Sequence, residues 1–325
     1  MPNHCRGISP SSGKPNIMRN LLILTGFFWL AYLPAGTAQQ SAQFTQFTFN
    51  KLNFNPSLTG AYEALTFTGF YRHQWFGVEG APRTGMVNVV APLTRHNTVL
   101  GLAVSYDQIG MTQTGQATAS YAYVMRMPSG LQLLGGLSGT VEYGRVDWSM
   151  ADPGDLGDQL LGTGMENIWK PNFGAGLTLH NRSWYVGVSV PRFLKNALFR
   201  GPKDQQGSAA DYREIYGMAG FDVGVAPGFR IRPGVLMSYN PAAPLDLGFD
   251  LSVLLMNQFI LGAAYRLDDA VSAIVQYRLS SQWKMGLGYD MTVSPLNEYS
   301  NGTAEIMLEY SLDRAVDGNR HIRFF

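Results

Sequence analysis

The chain has 325 residues, of which 14% are charged, against about 25% in an ordinary soluble domain. Hydrophobic residues reach 46% and glycine 37 of 325, yet mean hydropathy is only -0.05; apolar and polar residues are therefore interleaved, which argues against a helical membrane protein and against disorder. A formal charge of +1 offers no concentrated basic surface, so nucleic acid is not an expected partner.

Residues 1–38 read as a secretory signal peptide. Arg6, Lys14 and Arg19 precede an apolar run from Leu21 to Leu33, and Pro34 and the small-x-small triplet Gly36-Thr37-Ala38 follow it. The run is 13 residues long, short of the roughly 20 that a spanning helix needs. Met18 is an alternative start for the same layout. The sole cysteine, Cys5, lies before the run, so the mature chain has no thiol for catalysis, disulfides or zinc. Removing three basic residues from 24 and none from the 23 acidic ones leaves 21 against 23, a mature charge of -2.

Residues 39–60 precede the first strand and carry repeated Phe, Asn and Gln, with an Asn55-Pro56 step that favours extended or turn backbone before the proline. This segment is expected either to plug a lumen or to dock a partner. Phe44, Gln46, Phe49, Asn50, Asn55 and Pro56 are the residues assigned to that role.

From residue 61 to 325 no apolar period of 3.6 is sustained, but stretch after stretch alternates with period two. In Val99 to Tyr106, Leu100, Leu102, Val104 and Tyr106 fall on one side and Gly101, Ala103 and Ser105 on the other. Leu251 to Met256 and Phe259 to Ala264 are apolar on both faces around Asn257-Gln258, which reads as a hairpin. About 14 strands are expected, including Asn172 to Leu179 and Glu214 to Val223. The fold class is an all-β transmembrane antiparallel barrel in outer-membrane lipid.

Connection lengths support the barrel. Counting strands from one, the connections after even strands are tight and rich in turn formers: Thr94-Arg95-His96-Asn97, Met127-Pro128-Ser129-Gly130, Asn181-Arg182-Ser183 and Asn257-Gln258. The longest segments, Arg145 to Lys170 and Pro191 to Arg213, follow odd strands, as they do when both termini are periplasmic. Aromatics near strand ends suit interfacial girdles, among them Tyr71, Trp75, Tyr121, Tyr123, Trp148, Trp169, Trp184, Tyr185, Tyr265, Tyr277, Trp283 and Tyr289. The terminal Arg323-Phe324-Phe325 resembles the aromatic ending that barrel assembly reads. Arg72, Gln74 and Trp75 are candidate lumen or rim residues, with Glu142 a further polar lumen side chain.

Catalysis finds little support. The mature chain offers only His73, His96, His180 and His321, and contains no G-x-S-x-G elbow, Walker loop or H-E-x-x-H. His73, between Arg72 and Gln74, reads as a polar lumen residue, and His180 as a solvated turn residue. Asp147, Asp152, Asp155, Asp158 and Glu166 do not match the spacing of a calcium loop and read as a solvated external segment. No catalytic, cofactor-binding or metal-binding residue is assigned, and the chain is not expected to be an enzyme.

Several blocks carry a family resemblance. Gln43-Phe44-Thr45-Gln46-Phe47-Thr48-Phe49-Asn50, Leu52-Asn53-Phe54-Asn55-Pro56 and Gly60 open it. Tyr71-Arg72-His73-Gln74-Trp75, Gly80-Ala81-Pro82-Arg83-Thr84, Asp107-Gln108-Ile109-Gly110, Pro171-Asn172-Phe173-Gly174-Ala175-Gly176 and Leu261-Gly262-Ala263-Ala264-Tyr265-Arg266 continue it in order. Together they resemble the PorP/SprF family of the Bacteroidetes type IX secretion system and gliding machinery. The resemblance implies a non-enzymatic outer-membrane barrel that aids secretion or surface retention of C-terminally tagged proteins. It also implies periplasmic peptidoglycan-binding or motor-associated partners. Where such proteins often show His-Glu-Ile, this chain has Ala304-Glu305-Ile306, so any role of that histidine is absent or moved. The competing reading is a plugged outer-membrane transporter of hydrophobic small molecules.

Overall fold

The computed structural model describes residues 51–93, 97–147, 165–194, 213–241 and 244–312. All of them belong to one compact unit, residues 37–325. The signal peptide expected over 1–38 lies outside them.

Two short 3-10 turns, Lys51–Asn53 and Pro56–Ala61, lead into fifteen strand segments. These are β1 Leu65–His73, β2 Arg83–Leu93, β3 Thr98–Ile109, β4 Thr112–Arg126, β5 Gln132–Asp147, β6 Met165–His180, β7 Trp184–Val190 and β8 Ile215–Phe221. After them come β9 Val223–Ala226, β10 Phe229–Tyr239, β11 Asp246–Leu255, β12 Phe259–Arg266, β13 Ala270–Arg278, β14 Trp283–Thr292 and β15 Thr303–Leu312. β8 and β9 both pair with β10 and form one stave interrupted at Asp222. The barrel therefore has 14 staves. Each pairs antiparallel with its neighbour in sequence, and β15 pairs with β1 from Leu65↔Leu312 to His73↔Ala304, closing the sheet so that no stave is left at an edge. Among the described residues no helix is long and apolar enough to cross a membrane; closed strands satisfy the backbone instead.

Burial alternates along the staves. Phe67, Leu102, Val104, Leu137, Phe173, Val188, Leu251, Leu287 and Ile306 are exposed on the outer face, while Thr68, Arg72, Asn88, Thr140, Thr178, Ser252, Gln276 and Glu305 are buried on the inner one. Two outer aromatic bands appear, as expected for interfacial girdles. Phe259 packs against Tyr277 (4.7 Å between centroids) and Trp283 against Tyr310 (4.6 Å), both tilted, near the end with short turns; Tyr143 meets Trp169 (4.8 Å) near the other.

The short turns carry their own chemistry. Asn181 Oδ1 accepts from the amides of Ser183 (2.7 Å) and Trp184 (3.0 Å). Met256 and Asn257, with φ of 51° and 56°, make the tight β11–β12 hairpin turn.

Three expectations need correction. β6 begins at Met165 rather than near Asn172, pairing Asp147↔Met165, so Arg145 to Asp147 and Met165 to Lys170 are strand rather than loop. Lys170 and Pro171 disguise the alternation there. Pro171 is tolerated because β7 pairs only with Ala175 to His180, so Pro171 lies above the top of β7. Second, the stave expected as Glu214 to Val223 is broken at Asp222, and a register irregularity at Phe229/Arg230 accompanies the break. Third, Tyr185 is not a girdle residue: it is buried and points inward. Trp148, Asp152, Asp155 and Asp158 lie outside the described residues.

Candidate functional site in the lumen

Residues 51–62 cross the inner wall of the barrel, meeting β6, β5, β4 and β3 on the way to β1. Asn55 fixes the crossing. It precedes Pro56, and its backbone is extended (φ -143°, ψ 108°), as the proline demands. Its side-chain oxygen caps the Pro56–Ala61 turn, accepting from the Ser57 amide (3.0 Å) and the Ser57 hydroxyl (2.7 Å). Its amide nitrogen donates to Thr178 Oγ1 on β6 (3.1 Å), and the Ser57 and Thr178 hydroxyls lie 2.8 Å apart. Ser189 of β7 donates to the Phe54 carbonyl at 2.5 Å. Asn55, Ser57 and the Phe54 carbonyl are thus tied to the wall by named partners.

The wall is shaped to receive the segment. A side chain on Gly136 of β5 would collide with the backbone of Pro56 and Ser57, and one on Gly176 of β6 with the Asn55 side chain. Leu58, Tyr62 and Phe54 join Val90, Val99, Val124, Leu134, Tyr216 and Met218 in one buried apolar cluster. Those wall side chains would face water were the segment elsewhere, so its burial supplies a hydrophobic reason to stay. Lys51 begins the described chain. Its ammonium sits 4.1 Å from the centre of the Tyr185 ring. Burial lowers it to about 8; the nearby Asp250 charge opposes that shift and Arg232 adds to it.

At the seam between β1 and β15, Arg72 of β1 reaches two carboxylates. Nη2 lies 2.9 Å from Asp290 of β14 and Nη1 3.4 Å from Glu305 of β15, all three side chains being almost wholly buried. Near the end with long connections, Arg192 approaches Gln116 (3.2 Å) and Glu142 (3.8 Å), so Glu142 faces the lumen as expected. Asn172 of β6 donates to the Leu194 carbonyl and accepts from the Leu194 amide, both at 3.0 Å, holding the start of the β7–β8 connection against the wall.

The site residues expected from sequence divide accordingly. Asn55 and Pro56 lie in the inner segment, and Arg72 in the lumen. Gln74 and Trp75 sit at the rim after β1: the Gln74 amide donates to Pro82 (2.9 Å), and Trp75 has φ of 48° with its amide donating to Thr303 Oγ1 (3.2 Å). Phe44, Gln46, Phe49 and Asn50 lie outside the described residues. His73 is not a lumen residue. Its neighbour Arg72 takes the inward position, and its ring packs on Phe76 at 4.5 Å. His180 closes β6 as a half-buried strand residue rather than standing in a turn. Lys51, Ser57, Thr178 and Ser189 were not singled out by sequence. The available signal was the small inward residues of β5 and β6, Gly136, Ser138, Gly174 and Gly176, which leave room on one wall. Among the described residues no group of three or more His, Cys, Asp or Glu is placed to hold a metal.

The family model for the type IX secretion system membrane protein PorP/SprF matches residues 36–310. No curated protein matches the chain significantly. Among solved structures, the outer membrane protein Omp33 of Acinetobacter baumannii is 8% identical with a TM-score of 0.48, covering 78% of this chain and 100% of its own. The monoaromatic hydrocarbon channel CymD is 12% identical at 0.45, covering 86% and 94%, and the KdgM porin 11% identical at 0.39, covering 77% and 100%.

Proposed function

Because the chain belongs to the PorP/SprF family of type IX secretion system membrane proteins, we propose that it acts without catalysis, its lumen occupied by its own N-terminal segment, to aid secretion or surface retention of C-terminally tagged proteins. As a family member it is an outer-membrane component of type IX secretion, and its partners are drawn from that machinery. The more specific partners proposed are a periplasmic peptidoglycan-binding or motor-associated component and a tagged surface protein.

The inner segment is the observation that carries this reading. It is anchored by hydrogen bonds to β6 and β7 and seated in an apolar cluster, an arrangement suited to a permanent fixture rather than a leaving lid. A barrel filled in this way offers surfaces and loops rather than a route for solute. In planar bilayers the full-length protein is expected to lack the steady conductance of an open porin. In mild detergent it is expected to co-purify with a C-terminally tagged surface protein or a peptidoglycan-binding lipoprotein. Robust solute flux, or isolation without a partner but with a hydrophobic compound in the lumen, would move the assignment to transport.

A further inference from the structure

The wall closes stave by stave, yet the stave made of β8 and β9 outruns its neighbour at the end with short turns. Trp184, the first residue of β7, faces Phe221, and just beyond it the Ser183 carbonyl accepts from the Asp222 amide at 2.8 Å. Past that bond β9 pairs with β10 alone, so its other side has no strand beside it among the described residues. Alternation fixes what this side presents. The Asp222 amide points toward β7, so two residues on the Gly224 amide and carbonyl point the same way, away from β10. All four residues of β9 are exposed, Val223 at 51% and Val225 at 57%, which leaves both faces of the strand open as well.

This edge lacks the usual chemical guards. Sheet edges are commonly blunted by lysine, by proline or by a covering segment, whereas Val223, Gly224, Val225 and Ala226 carry no charge, include no proline and stand exposed. The edge is also held in place. Buried Asp222 accepts from Arg230 Nε at 2.5 Å and from Arg232 Nε at 3.0 Å, tying the head of β9 to β10, so a ligand need not order it. Above the edge stands the turn of Asn181, Arg182 and Ser183. Arg182 is exposed there and makes no ion pair among the described residues, the exposed Glu63 ahead of β1 included. A row of alternating amides and carbonyls is matched by another extended backbone rather than by lipid, and a free guanidinium at its head favours a carboxylate.

We propose that the free side of β9 is a docking edge onto which a periplasmic partner polypeptide adds an extended strand, apolar along its length and acidic at the end that meets Arg182. This rests on the reading of the chain as a partner-binding barrel and names the place and manner of one contact. The two fail separately: porin-like conductance overturns that reading, whereas the edge is tested by direct binding.

The test uses full-length protein in detergent micelles and a fluorescein-labelled peptide of alternating threonine and valine with one terminal glutamate, followed by anisotropy. The wild type is expected to bind it, and not to bind the same peptide with proline in place of the valines, which cannot form a ladder. Gly224→Pro removes the amide that faces the free side and leaves the pairing with β10 intact; it is expected to weaken binding roughly tenfold, the scale of one or two main-chain hydrogen bonds. Arg182→Gln is expected to weaken it about threefold, as an exposed ion pair does, and to have no effect on a peptide ending in glutamine. Leu279→Ala, exposed in the β13–β14 turn, is the control and is expected to bind as the wild type does. Each variant is first shown to unfold at the wild-type urea midpoint; should Gly224→Pro not fold, the proline peptide and the Arg182 comparison decide. Absence of binding by the wild type, equal binding of the proline peptide, equal binding by a folded Gly224→Pro, or the same loss in Arg182→Gln with either peptide ending would each overturn the proposal.

Discussion

At the scale of residues, Arg72 shows why the lumen wall is not interchangeable polar filler. It spans the seam where the first and last strands meet, and one guanidinium answers two buried carboxylates. Arg72→Met leaves Asp290 and Glu305 buried beside each other without their cation, a loss expected to cost about 3–5 kcal/mol. Urea unfolding of the refolded barrel, followed by tryptophan fluorescence, measures it. Adding Glu305→Gln to Arg72→Met should recover part of the loss, because the two sites share one network. Lys51 makes a second case. Its pKa falls from 10.5 unfolded to about 8 in place, so between those values the folded protein holds fewer protons than the unfolded chain. Stability therefore rises from about pH 8 to 10.5, whereas below pH 8 the cost of burying the charge is fully present. Across that window the wild type should gain up to about 3 kcal/mol relative to Lys51→Met, read from paired unfolding curves at each pH. Arg72 was legible in the sequence as a polar residue within an alternating stretch. Lys51 was not, because nothing local indicates that a lysine will be enclosed by staves more than a hundred residues away.

At the scale of elements, the inner segment and the wall specify each other. Gly136→Val would place side-chain atoms where the backbone of Pro56 and Ser57 runs. Overpacking of this kind costs about 1–3 kcal/mol. The expected result is a lowered urea midpoint together with protease cleavage near residues 51–62, whereas Gly139→Val, with open space around it on the outer face, should leave both unchanged. Most staves could be placed from period-two alternation, since one face meets lipid and the other does not. The exceptions have physical causes. In β6, Pro171 and Lys170 break the pattern where β7 no longer runs alongside, and after β8 the ladder is interrupted at Asp222, which keeps the inward parity of Tyr216, Met218 and Gly220. Next to the β11–β12 turn the inward Leu254, Ile260 and Ala264 are apolar like their outward neighbours, which hides the alternation that Asp250 and Ser252 carry further along β11.

At the scale of the whole molecule, lipid outside and a packed interior impose different compositions on the two faces of one sheet. The outer face carries the apolar side chains, and the ion pairs are drawn inside or to the rims. That division accounts for the low charge content and for a hydropathy near zero in a chain built to live in a membrane. The seam adds a constraint on assembly. Thr66 and Ser311, whose hydroxyls lie 3.2 Å apart across β1 and β15, are separated by 245 positions in sequence. The contact that completes the cylinder is thus among the most distant in the chain and carries a loop-closure entropy that nearer pairings do not. Until Thr303–Leu312 has been synthesised and delivered, the nascent sheet has two sticky margins. The final strand is then the latch of the folding reaction, and its arrival turns an aggregation-prone ribbon into a closed wall.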